Sequence, residues 1–340
     1  MSTTQRTDFE DQQLDQLHRA AVKGKESLLV WAGGDAKSQA GMYTSAFGKR
    51  FPDVPIEAVV ELSKYHDATL DHRLLTAGQV PDVIHLQSLH DYDHWKTAGV
   101  LERCRPAGLE QTPQAFVDAD GFFVPLFVFA FSNVYDSRAV GDAEAPIEAP
   151  DYLDPKWKGQ IVLTYPHDDD AVLYQFDQVV AQFGWQWLHA LLEQDVQWVR
   201  GTQTPAHLIA NGKKKVSFTT YNTLVDQPGN PLRFRIPQRT FFQSWYQTGA
   251  IVSTAPNPWA ARLYLSFWLS RAQQENVFQW PAREDVALPA GFRHVRHYAN
   301  TSPHGFREFM RDRARVERLR GIYENFIGPV EGPNPNTLDL

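Results

Sequence analysis

A single cysteine, Cys104, stands among 340 residues, which excludes an internal disulfide and any metal cage built on cysteine. Its positive neighbours in Glu102-Arg103-Cys104-Arg105-Pro106 favour a lowered thiol pKa, but no general base is identifiable beside it. Cations are also in short supply. The chain has 33 Lys and Arg against 40 Asp and Glu, a formal net charge of -7, and no Lys/Arg run longer than Lys213 to Lys215. That balance argues against nucleic acid or an anionic membrane as partner. No run of eighteen apolar residues occurs, so no direct membrane insertion is expected. The first 27 residues are polar and acidic, without the apolar core of a secretory signal. As the sequence stands the expectation is a cytoplasmic protein, or a periplasmic one whose signal was removed. No G-x-S-x-G elbow, P-loop or G-x-G-x-x-G occurs, so no catalytic residue and no cofactor are assigned.

The length suffices for two domains, and 43% hydrophobic residues, 13% aromatic, can fill two cores. Leu28 to Ala32 is an apolar run ended by Gly33-Gly34 and reads as a buried strand. Ala40, Tyr43, Phe47 and Phe51 recur at helical spacing before Pro52. Val54 to Val60 is a second strand, Leu70 to Ala77 a helix stopped by Gly78, and Val83 to Leu86 a third strand. Strands alternating with helices at this spacing predict a parallel sheet with right-handed crossovers, whose ligands sit at the carboxyl ends of the strands. Phe122 to Val134 reads as a long connecting strand. A second series follows, with a strand at Ile161 to Thr164, helices at Ala171 to Phe183 and Trp185 to Leu192, a helix capped by Thr204, and a strand at Val216 to Thr220. Arg233 to Val252 returns, and Asn257-Pro258 opens an amphipathic helix through Ala260, Leu263, Tyr264, Phe267 and Trp268. Phe9, Leu14, Leu17 and Ala21 hint at a short N-terminal helix.

Several polar groups fall where such sheets bind ligands. Gly33 and Gly34 let backbone N–H groups approach a ligand at a helix N-terminus, and Asp35 either caps that helix or meets a cation or amine. The run Tyr165 to Asp170, with His167, Asp168 and Asp169, is either a capped helix start or an acidic wall for an amine or a hard cation. Tyr65, His66 and Asp67 precede a helix, as cleft residues or as an N-cap with its neighbours. His90 and His94 share a helical face, but no third ligand is identifiable and no metal is assigned.

Five phrases, in order, carry a resemblance: LLVWAGGD, AGQVPDVIHL, KTAGVLERC, DPKWKGQIVLTYP, and a strand entering A-P-N-P and a helix. Together they resemble the type II periplasmic solute-binding proteins of ABC transporters, the ferric-iron and small-solute type of extracellular solute-binding protein. The resemblance implies a two-lobed α/β fold, each lobe a mostly parallel sheet flanked by helices and joined by two crossing strands. Residues 1–27 would be an N-terminal extension, 28–120 plus 250–340 lobe 1, 135–235 lobe 2, and 121–134 and 236–249 the hinge crossings. It implies a monomer that binds a small polar or anionic solute between its lobes and delivers it to an ABC permease. Enzymatic catalysis on the same scaffold, metal-assisted or not, and iron or zinc carriage stay open as alternatives. The expected contacts are Gly33, Gly34, Asp35, Tyr65, His66, Ser88, Tyr165, Asp168, Asp169, Thr202, Tyr221, Asn222, Trp245 and Tyr246. Ferric members use two neighbouring tyrosines where this chain has Tyr221 followed by Asn222.

Overall fold

The computed structural model describes residues 3–24 and 27–338, the residues before Phe9 by their backbone only. In chain order the elements are α1 (Thr3–Ala21), β1 (Leu28–Gly33), α2 (Ala40–Arg50), β2 (Ile56–Glu61), α3 (Ser63–Leu75), β3 (Val83–Leu86), α4 (Asp91–Thr97) and β4 (Leu101–Glu102). There follow β5 (Phe123–Asp136), β6 (Val162–Thr164), α5 (Asp170–Phe183), α6 (Trp185–Leu192), β7 (Gln197–Val199), α7 (Gln203–Ala210), β8 (Val216–Thr220) and β9 (Leu232–Arg235). The chain closes with β10 (Gln243–Val252), α8 (Pro258–Leu269), α9 (Arg271–Gln274), β11 (Trp280–Pro281), α10 (Pro303–Arg311) and α11 (Arg313–Ile327). No helix among the described residues is long and apolar enough to cross a membrane. Two compact units result, Met1–Val128 with Tyr246–Leu288, and Phe129–Trp245 with Pro289–Leu340.

In the first unit β1 lies between β2 and β3, parallel to both, and the end of β10 adds antiparallel to β3. The Tyr92 hydroxyl pins that junction, accepting from Leu86 N at 2.9 Å and donating to Thr248 O at 2.6 Å. Beneath it Trp31, Leu70, Ile84, Trp95, Phe123 and Val252 form one core cluster. On α8, Asn257 caps as the sequence predicts, its side chain accepting from Ala260 N at 3.3 Å with Pro258 next in line. The buried face of α8 then meets the ring of His85 from β3, which also touches Tyr43, Phe127 and Trp268.

The second unit repeats the plan. β6 and β7 are parallel, a parallel bridge joins Ile161 to Val216 on the other side of β6, and β5 lies antiparallel to β8 and β9. Phe176 of α5 packs on Trp187, Trp198, Phe218 and Tyr323.

Two boundaries differ from the sequence reading. The N-terminal segment is part of the first unit: α1 packs on α8, Leu14 and Ala21 are buried, and the Glu10 carboxylate accepts from Arg283 at 2.7 Å and from Arg271 N at 2.9 Å. Residues 289–340 join the second unit rather than the first, because Phe306 and Phe309 of α10 pack on Tyr174, and Arg313 and Arg320 of α11 reach Asp170. Short elements were missed as well, among them β7, whose three residues carry too little periodicity to read.

Burial pushes His85 down to about 3. Between that value and the ordinary value near 6.5, the unfolded chain takes a proton that the folded chain refuses, so stability falls as the pH drops through this window. Urea denaturation at pH 7.5 and pH 5.5 should show His85→Phe losing about 1 kcal/mol less than the unaltered protein. An equal loss in both would remove His85 from the acid response.

Candidate functional site

Parallel strands deliver their carboxyl ends to one edge, and in each unit the order places the first strand of the series between the other two. Loops diverge there on either side, which makes the edge a natural ligand position. In the second unit the edge comprises the loops after Thr164, Val199 and Thr220. Arg200 leaves β7 and its guanidinium grips Asp168, Nε to Oδ2 at 2.9 Å and a second nitrogen to Oδ1 at 3.4 Å. Gly201 follows at φ +75, a conformation that favours glycine, and turns the chain into α7. Thr202 precedes that helix, and its carbonyl accepts from Thr220 Oγ1 at 2.5 Å. The Tyr221 hydroxyl donates to Gln203 Oε1, and its ring meets Phe129 edge-on at 4.6 Å. Thr164 Oγ1 donates to Gly201 O at 2.9 Å and closes the set.

The acidic run does not form an open wall, because each carboxylate has a partner. Asp168 holds Arg200, Asp169 caps α5 by accepting from Ala171 N at 2.8 Å and Val172 N at 3.0 Å, and Asp170 meets Arg313 at 3.0 Å and Arg320 at 2.6 Å. Tyr165 stacks on Trp198 at 6.0 Å, and burial pushes its hydroxyl upward. Burial likewise holds His167 below its ordinary value.

In the first unit the same edge comprises Gly33, Gly34 and Asp35 after β1 and Ser88 after β3. A Cβ on Gly33 would collide with Ser63 Oγ and one on Gly34 with Gln39 Oε1, so both turns are backbone packed tightly against polar side chains. Gln39 Oε1 accepts from Asp35 N at 2.9 Å and Ala36 N at 3.2 Å, while its amide donates to Asp35 at 3.2 Å. Asp35 is therefore tied to its own helix start. Ser88 is 4% exposed, and its Oγ has no hydrogen-bond partner among the described residues. Nearby, Asp67 of α3 shares a hydrogen bond with Asp91, and burial first, then the Asp91 charge, raises Asp67 to about 8.

Other expected contacts lie elsewhere. His66 is turned beneath the sheet, its Nε2 3.0 Å from Val59 O and its ring stacked on Trp31 at 5.1 Å. Tyr65 is exposed, with Lys64 over its ring. Asn222 braces its own loop, donating to Leu232 O at 3.1 Å and accepting from Asn230 at 3.3 Å. Trp245 and Tyr246 are interior: one stacks on Phe129 at 5.2 Å, the other on Phe116 at 4.0 Å. Thr204, expected to cap α7, sits inside its first turn with Oγ1 donating to Arg200 O at 2.8 Å. The sequence reading missed Arg200 and Gln203, which leave a strand too short to recognise. Among the described residues no cluster of three or more His, Cys, Asp or Glu could hold a metal ion. His90 instead faces Asp91 at 3.3 Å, while His94 is exposed. Desolvation pushes the Cys104 thiol up to about 12 and outweighs Arg262, the reverse of the expected activation.

Residues 78–238 match the family described as bacterial extracellular solute-binding protein. No curated protein matches the chain. Among solved structures, the substrate-binding protein of an ABC transporter from Agrobacterium tumefaciens aligns with TM-score 0.74 at 16% identity, covering 90% of this chain and 96% of that one. AfuA from Actinobacillus pleuropneumoniae, with fructose-6-phosphate bound, gives 0.69 at 17% over 88% and 98%. Iron-bound HitA from Pseudomonas aeruginosa gives 0.65 at 14% over 87% and 99%. The chain has the type II periplasmic-binding fold, and at these identities the structures speak to the fold alone.

Within that fold the Asp168–Arg200 pair can be tested directly. Its side chains are 9% and 16% exposed, so removing one partner strands a largely buried charge. Arg200→Gln is expected to cost about 3 kcal/mol of unfolding free energy, and the double variant with Asp168→Asn to regain more than half. Additive losses in a denaturant double-mutant cycle would show that the two groups do not depend on each other.

Proposed function

We propose that this protein is the solute-binding component of an ABC-type uptake system and takes one small polar or anionic solute. The observation that carries the reading is the repeated architecture: each unit ends its parallel strands in a largely buried polar cluster where the loops diverge. The match to a solute-binding family over residues 78–238 supports it, as do neighbours of the same fold solved with fructose-6-phosphate and with iron bound. The candidate solute contacts are Tyr165, Arg200, Thr202, Gln203 and Tyr221 at the strand ends of the second unit, and the corresponding strand-end residues of the first unit are Gly33, Gly34 and Ser88. Burial holds Cys104 as a thiol, so an enzymatic reading gains no activated nucleophile from it.

Iron is disfavoured by the same residues. The Tyr221 hydroxyl donates to Gln203, and the neighbouring Asn222 offers a neutral amide already committed to its loop. A hard trivalent cation calls for anionic oxygen ligands. Native mass spectrometry of protein purified without chelator should therefore find a small organic mass retained and less than stoichiometric iron. With that solute in hand, calorimetry should show Tyr221→Phe weakening binding by about 0.5–1.5 kcal/mol, or more if the partner is charged. A coloured protein with one iron per chain, bleached by Tyr221→Phe, would replace this reading with a ferric carrier.

A further inference from the structure

Between β9 and β10 the chain bends at Gln238, Arg239 and Thr240, outside any strand. Three successive backbone N–H groups of this bend converge on one carboxylate. Gln238 N and Arg239 N donate to Glu148 Oε1 at 3.0 and 3.1 Å, and Thr240 N donates to Glu148 Oε2 at 2.7 Å. Consecutive N–H groups aimed at one point form a concavity suited to an anion. Here the anion comes from a distant part of the same chain.

Glu148 is itself held in place. Its N–H and that of Ile147 donate to Asp151 Oδ2 at 2.8 and 3.0 Å, and Ala149 N donates to Thr240 Oγ1 at 2.9 Å, so the two segments are cross-linked in both directions. Burial alone would raise the Glu148 carboxyl, but the hydrogen bonds from Thr240, Gln238 and Arg239 outweigh it and hold the group below the usual carboxylate range. The Arg239 guanidinium, 4.0 Å away and 84% exposed, adds little. Other backbone groups of the segment also meet side chains. Gln182 accepts from Phe241 N at 2.9 Å and donates to Arg239 O at 3.2 Å, while Asn300 Nδ2 donates to Pro237 O at 2.9 Å and to Thr240 O at 2.8 Å. Phe242 N then donates to Asn300 O at 3.0 Å. All these residues belong to the second unit. Glu148 is the charged member of the set and takes three donors at once, and an ionised acceptor makes the stronger hydrogen bonds.

We propose that the Gln238–Thr240 bend is an anion nest filled from within the chain, and that Glu148 is the positioning residue that makes residues 238–242 a rigid part of the second unit. The sequence reading expects residues 236–249 to flex as one crossing; with the nest filled, bending in that crossing is confined to residues beyond Phe242. Hydrogen–deuterium exchange of the full chain, read on peptides covering residues 238–242, tests this. Glu148→Ala should speed exchange there by roughly tenfold or more and leave peptides over β8 unchanged. Formate should restore protection saturably in Glu148→Ala, whereas formamide, of similar shape without the charge, should not. Glu148→Gln keeps the packing and one acceptor oxygen, so it should exchange at an intermediate rate, and it decides the question if Glu148→Ala fails to fold. Exchange at the unaltered rate in either variant, without added anion, would overturn the proposal. So would the absence of rescue by formate, or equal rescue by formamide, which would leave Glu148 as a filler of space. The readout involves no solute, so the proposal stands or fails apart from the transport reading.

Discussion

Parallel strands cannot be joined by tight turns, and most of this chain follows from that constraint. Each return requires a helix, each helix covers a face of the sheet, and every strand then ends at the same edge. When the first strand of the series lies between the second and third, as β1 and β6 do, the loops after it diverge from their neighbours and leave a recess. The chain builds this arrangement twice from unrelated sequences. Gly33 ends the first strand of one unit and Gly34 follows it, as Tyr165 follows that of the other. Polar side chains gather at both edges because the backbone there has left the ladder and its groups need partners.

Charge is settled differently at the two edges. In the second unit three consecutive aspartates meet an arginine, a helix terminus and two further arginines, so a stretch that reads as an acidic surface carries little uncompensated charge. The compensating residues come from β7 and α11, far away in sequence. In the first unit Asp67 and Asp91 share a hydrogen bond, and burial with the neighbouring charge raises the Asp67 carboxyl. Two carboxylates that must sit together in a poorly solvated place keep one proton between them.

This explains what the sequence could and could not disclose. Long amphipathic or apolar segments declare themselves, as β1, β5, α5 and α8 do, because burial imposes a period on the chain itself. Asn257 was readable as a cap because capping is local, involving an acceptor and an N–H three residues on. Arg200 was not, because its meaning depends on Asp168, and nothing in Gln197 to Val199 marks a strand that would bring the two together. His66 and Trp245 failed for the opposite reason. Both are attractive ligand types at plausible positions, but each satisfies itself within its own unit, one through the Val59 carbonyl and one through Phe129. Residues 289–340 were misassigned because the Tyr174 contacts that hold α10 are long-range and leave no periodic trace distinguishing one sheet from another.

The same reasoning separates fold from ligand. Neighbours of this fold include one with fructose-6-phosphate bound and another with iron bound, so the framework alone does not discriminate between them. On the proposed assignment discrimination falls to side chains at the strand ends, which in the second unit are hydroxyls, an amide and one neutralised ion pair. Such groups hydrogen-bond well but supply little net charge, so an isolated hard cation would gain too little from them to replace its water. A solute with several oxygen atoms of its own gains a bond from each. For that reason the proposed second-unit contacts would favour a hydroxylated or oxyanionic molecule over a bare metal ion.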